Sequence, residues 1–194
     1  MADQPQGSGA KAQVRLWWPV KVLQRRYAAH AELAPLWPGL PEREQRFVPA
    51  GADPALAAFV QWVLTAAADL IAADLRPGAQ PPVLSLGLKR LTAPAVGQVP
   101  RRTPAAVFAG LYCFDPGTID ARQPEAGCLT FLDPRPGAEM IPGSSAPLQP
   151  DRILRLPAGA LILYPAWLAQ GSSAPLGPEP PRWLSLRFRP VPQG

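Results

Sequence analysis

Leu84-Ser85-Leu86-Gly87-Leu88-Lys89 alternates apolar with small or polar residues. A period of two marks a strand with one buried face, and Leu91 extends it. Just upstream the period is 3.6. Asp53 is a good N-cap, Pro54 takes the first helical position, and the pattern runs to Pro77-Gly78. Leu56, Phe59, Val60, Val63, Leu64, Ala67, Leu70 and Ile71 recur at spacings of three and four, so this helix offers one apolar stripe to a sheet, with Gln61, Asp69 and Asp74 mostly off it. Downstream, strands are predicted over 107–114, 128–132, 153–156 with 160–164 across the turn Pro157-Ala158-Gly159, and 182–188. Turn-rich segments at 115–127, 133–152 and 171–181 divide them. Upstream, Val14 to Leu23 reads as a strand broken at Pro19, a short helix follows within 25–36, and 35–52 reads as loop around Pro35, Pro38, Pro41 and Pro49. A long helix outside seven or eight short antiparallel strands is a mainly β domain with flanking helices, a jelly roll or similar double-sheet barrel.

Composition narrows the function classes. The 194 residues suit one domain spanning 13–194, after a polar, disordered tail over 1–12. Hydrophobic residues at 47% exclude disorder for want of apolar surface, and 28 Pro exclude a helical bundle. No apolar run reaches the roughly 18 residues of a membrane span, and the N-terminus lacks a signal peptide's regions, so a cytoplasmic protein without membrane contact is expected. Cys113 and Cys128 are too few for a disulfide framework and read as buried free thiols. The charge of +5 comes from 16 Arg and 3 Lys without a lysine cluster or basic helix face, which argues against nucleic acid. Trp17, Trp18, Trp62, Trp167 and Trp183 read as core or rim packing. Trp37, between prolines, reads as exposed.

In order along the chain stand Gly110-Leu-Tyr112, Gly127-Cys-Leu-Thr-Phe-Leu-Asp-Pro-Arg135, Leu156-Pro-Ala-Gly159, Leu161-Ile-Leu-Tyr-Pro-Ala-Trp-Leu168 and Arg182. This series resembles the 2-oxoglutarate- and Fe(II)-dependent oxygenases, and Leu16-Trp-Trp-Pro-Val20 resembles an early strand of the same family. The similarity covers most of 14–190 and implies a double-stranded β-helix of the jelly-roll, cupin-like kind.

Chemistry in that family depends on two His and a carboxylate holding Fe(II). This chain has one His, His30, far from the motifs, where a partly exposed helical histidine is expected. The family's first ligand segment, His-x-His-Pro or His-x-Asp, falls about seven residues before the glycine matching Gly110, where this chain has Arg101-Arg102-Thr103-Pro104. The resemblance therefore puts Arg101 and Thr103 at ligand positions, and a guanidinium has no lone pair to give. The distal ligand follows Trp-Leu-x, which puts Gln170 there. Arg182 matches the arginine that pairs with the far carboxylate of 2-oxoglutarate; equally, it suits a strand end satisfied by a loop carboxylate such as Glu179. The Ser-x-Ser-x-Asn alternation of the family is replaced by Leu184, Leu186 and Phe188, expected to fill cosubstrate space. Asp133-Pro134-Arg135 reads as a turn, and Asp115 and Asp120 bracket another.

No Gly-x-Ser-x-Gly elbow or phosphate-cradling loop is present, and Cys113 has no base near it in sequence. The expectation is an oxygenase-like protein that has lost its iron site and needs no cofactor. Arg101, Arg102 and Arg182 would converge with Thr103 and Gln170 on a small carboxylate or other anionic ligand. Two alternatives stand. One is an enzyme, either an oxygenase with unorthodox ligands from Thr103, Asp115, Gln170 and water or a metal-free isomerase or lyase acting on a carboxylate. The other is a non-catalytic protein partner of an intact oxygenase, using Trp37 and the proline-rich loops at 35–49 and 171–181.

Overall fold

The computed structural model describes residues 13–17, 20–72, 82–92, 98–118, 122–134, 151–173 and 179–191. Among them eleven strands form two antiparallel sheets. In chain order these are β1 (Gln13–Trp17), β2 (Val20–Arg26), β3 (Gln45–Arg46), β4 (Leu84–Thr92), β5 (Gln98–Arg101), β6 (Phe108–Asp115), β7 (Leu129–Leu132), β8 (Asp151–Leu154), β9 (Ala160–Pro165), β10 (Gln170–Ser172) and β11 (Arg182–Pro190). The larger sheet has the order β1-β2-β9-β6-β11-β4-β3 and the smaller β5-β10-β7-β8. From β4 onward the chain passes back and forth between the sheets, with only β7 and β8 following one another in the smaller one. That alternation makes the fold a double-stranded β-helix.

The predicted long helix is α2 (Pro54–Ala72), capped by Asp53, whose Oδ1 accepts from the Ala55 and Leu56 amides at 2.8 and 3.4 Å. By length and composition it could also cross a membrane, contrary to the expectation that no run is long enough. Its apolar stripe is spent on the large sheet instead: Phe59, Val60, Val63, Ala67, Leu70 and Ile71 are buried. A shorter helix, α1 (His30–Leu33), runs into a 3₁₀ turn over Ala34–Gly39 in place of the single helix expected within 25–36. The segment expected to be a strand broken at Pro19 is a hairpin, β1 against β2.

The two faces of the large sheet carry separate cores. One joins α2 to Leu86, Leu88, Tyr112, Leu161, Leu163, Leu184, Leu186 and Phe188. The other fills the space between the sheets with Val22, Ala109, Leu111, Cys113, Ile162, Tyr164 and Trp183 against Leu129, Phe131 and Leu168. Leu184, Leu186 and Phe188 therefore pack under the helix and do not occupy cosubstrate space. The turn at 157–159 is a crossing between sheets, because β8 pairs with β7 whereas β9 pairs with β2 and β6. Cys113 and Cys128 are buried free thiols as expected, and burial pushes Cys113 up to about 12. Trp37 is 9% exposed, not open to solvent, because Phe114 packs on its ring at 5.0 Å.

Candidate functional site

Cross-strand partners share a face, so register decides which side chains enter the barrel. Gly87, Arg187, Ala109 and Tyr164 form one row across β4, β11, β6 and β9. Ala109 and Tyr164 belong to the core between the sheets, so Arg187 points into the barrel. Its charge opposes the upward shift that complete burial imposes on the Tyr164 phenol. Arg187 donates to Glu44 at 2.7 Å, and Arg189, two residues on, pairs with the same carboxylate. A Cβ at Gly87 would stand 2.7 Å from the Glu44 carboxylate, so a larger residue there would push that side chain aside. The two guanidinium groups hold Glu44 below the usual carboxylate range against the opposing effect of burial.

Thr103 and Gln170 are neighbours at the same end of the barrel. The Thr103 amide donates to the Ala166 carbonyl at 2.8 Å, and Gln170 faces Arg101 across β10 and β5 and Phe131 across β10 and β7. Gln170 Nε2 donates to the Gly171 carbonyl. The Arg101 side chain lies outside the described residues, as do Asp120 and Arg135. Arg102 and Thr103 line a cavity of about 810 Å³ at this end.

Arg182 is elsewhere. It opens β11 opposite Asp115, whereas the strand reaches this end at Phe188, opposite Phe108. Six residues at ~3.3 Å each separate them by roughly 20 Å. Arg182 donates to Asp115 at 2.6 Å, with its guanidinium carbon 5.6 Å from the centroid of Trp37 on the helix side of the sheet. Arg182 therefore does not converge with Arg101 and Arg102: among the described residues its ion-pair partner is Asp115, not Glu179. Arg182 holds the Asp115 carboxyl below its ordinary value. Arg187 and Arg189 were missed although the signal was legible, since they alternate with Leu184, Leu186 and Phe188.

The single imidazole is committed outside the barrel. His30 Nδ1 lies 2.7 Å from the Tyr112 hydroxyl, and Tyr112 belongs to the core under α2. Burial, with Arg26 adding to it, lowers the His30 pKa against opposing contributions from the Phe114 backbone and Asp115. A folded state that disfavours the imidazolium binds fewer protons than the unfolded chain near and below pH 6.5, so stability falls as pH drops through that window. Asp115, held low by Arg182, loses its contribution only in stronger acid. Urea unfolding at pH 7.5 and 5.5 is expected to give a lower midpoint at 5.5, and His30→Gln should shrink the difference; an unchanged difference refutes the assignment.

Among the described residues no group of three His, Cys, Asp or Glu could hold a metal. Thr103 and Gln170 offer neutral oxygens and Arg101 offers none. This donor set does not fit a ferrous ion of the two-His, one-carboxylate kind.

No protein-family model matches the chain, and no curated protein matches it in sequence. Solved structures do match. A Pseudomonas putida prolyl-4-hydroxylase aligns at 13% identity over 88% of this chain and 93% of its own, with a TM-score of 0.55. HygX from Streptomyces hygroscopicus with iron bound aligns at 13% over 88% and 82%, with a TM-score of 0.53. The chain therefore has the double-stranded β-helix fold of the 2-oxoglutarate-dependent oxygenases.

Proposed function

We propose that the protein is an oxygenase-like barrel that has given up iron and binds a small carboxylate at its open end. One observation carries this reading: the chain's only histidine bonds Tyr112 on the helix side of the sheet, while the barrel mouth carries arginines. Arg187 and Arg189 face the mouth with Glu44 as their resident counter-ion. A guanidinium repels a divalent cation and pairs bidentately with carboxylates. Such a site favours an anion that can share or replace the Glu44 carboxylate. Among the described residues, catalysis of the iron-dependent kind has no ligand set to run on.

Metal analysis of protein purified anaerobically, with and without added Fe(II), tests the first half. The expected result is far less than one iron per chain, no visible charge-transfer band with 2-oxoglutarate, and a melting temperature unmoved by chelator. Stoichiometric iron overturns the proposal. Titration with succinate and 2-oxoglutarate tests the second half: Arg187→Gln should weaken the better ligand roughly tenfold, the loss of one charge-assisted pair. Equal affinity in both proteins overturns it.

A further inference from the structure

The cavity at the open end is not the space between the sheets. It lies across the end of the large sheet, where Leu70 of α2, Val20 of β2, Val107 and Phe108 at the head of β6, and the turn after β9 meet. That turn has a particular design. Ala166 and Leu168 are buried, and the intervening Trp167 is thrown outward to 51% exposure. Backbone bonds hold it there: the Ala166 amide donates to the Val107 carbonyl at 3.0 Å, and the Leu168 amide donates to the Pro165 carbonyl at 3.0 Å. Val107, on the same wall, is 39% exposed. An indole and a valine left in water beside a concave apolar wall represent unspent hydrophobic area.

The loop opposite adds two features. Ala105 has a φ of 55°, the left-handed region that costs a non-glycine residue ~1 kcal/mol or more. Arg102 sits at the rim with no hydrogen bond or ion pair to any described residue, and among the described residues Lys21 is the other charged one lining the cavity. The described lining contains no Asp or Glu, so this part of the cavity is apolar with a positive edge. A volume of about 810 Å³ lies in the range of small-ligand pockets, roughly 300–1,000 Å³.

We infer that this cavity binds a carboxylate carried on a flat apolar body, with the ring against Trp167 and Val107 and the carboxylate at Arg102. The inference goes beyond the carboxylate reading above: it adds an anion position at Arg102, on a cavity whose described lining does not include Arg187, Arg189 or Glu44. A flat ring gains by stacking on an indole already held in place. The carboxylate gains a charge-assisted pair with a guanidinium that has no competing partner among the described residues. A protein partner would need a much wider contact, about 800 Å² from each side.

The test uses 2-naphthoate, its neutral analogue 2-naphthamide, and succinate, each titrated into the full chain by calorimetry. Wild type should bind 2-naphthoate more tightly than 2-naphthamide. Trp167→Ala should weaken 2-naphthoate at least about tenfold, and Arg102→Gln should weaken it similarly while leaving 2-naphthamide unchanged. Both positions are exposed, so the fold should tolerate the changes. Equal binding of 2-naphthoate by wild type and Trp167→Ala overturns the inference. So does Arg102→Gln weakening 2-naphthamide as much as 2-naphthoate. Succinate binding that depends on Arg187, with no 2-naphthoate binding, overturns this inference and leaves the carboxylate reading standing. Failure of both ligands overturns both.

Discussion

Phe59→Ala is expected to destabilise the protein by ~3–5 kcal/mol, the range for deleting a fully buried ring. Phe59 is completely buried at the centre of the helix stripe. Its ring lies 4.6 Å from Tyr112, 5.4 Å from Tyr27 and 6.0 Å from Trp62, measured between centroids. Alanine would leave all three rings facing a void, and the sheet beneath cannot collapse to fill it because its strands are fixed by their pairing. Urea unfolding followed by far-UV circular dichroism measures the loss, and Phe59→Leu should recover more than half. A loss below about 1 kcal/mol would mean that α2 is not anchored where these contacts put it. Tyr112 also holds His30, so the alanine variant should change the pH dependence of unfolding.

Gly117→Ala is the second large effect. Gly117 has a φ of +70°, and a Cβ there would lie 2.4 Å from the Glu179 carbonyl oxygen and 2.8 Å from the Pro181 nitrogen. These are backbone atoms, so no side chain can swing aside. Left-handed strain contributes ~1–2 kcal/mol and the forced displacement ~1–3 kcal/mol. Together they should lower stability by ~2–5 kcal/mol. The segment at 179–181 leads into β11, and the Thr118 amide donates to the Glu179 carbonyl at 2.9 Å. Damage should therefore concentrate at the start of β11. Amide exchange should accelerate there before it does in β9; uniform acceleration would contradict this.

Much of the fold was legible because it was written in period. The stripe of α2, the alternation of Leu84 to Leu88 and the apolar run at 160–164 each report a face buried by a known neighbour. Three strands were missed, and one of them, Gln45–Arg46 within the segment read as loop, is only two residues long. Gln98–Arg101 and Gln170–Ser172 are four and three residues long, and neither contains enough side chains to show an alternation. Their pairing with each other builds one edge of the smaller sheet, a long-range event that no local pattern records. The site was harder. Arg182 stood at the right spacing after Gln170, but spacing along a chain does not say which side of a strand faces in. Register put Arg187 inside and Arg182 beside Trp37. Trp37 and Trp167 exchanged expected roles for a related reason: packing of Phe114 and the anchoring of Ala166 and Leu168 decide exposure, and both are tertiary.

The large sheet separates two packing networks that share a backbone and almost no side chains. Substitutions far apart and without common partners add nearly independently. Tolerance to change is therefore divided by a wall one strand thick. The half beneath α2 can supply folding free energy while residues on the other half drift, so the chemistry of the barrel side can change while the chain stays folded at every step.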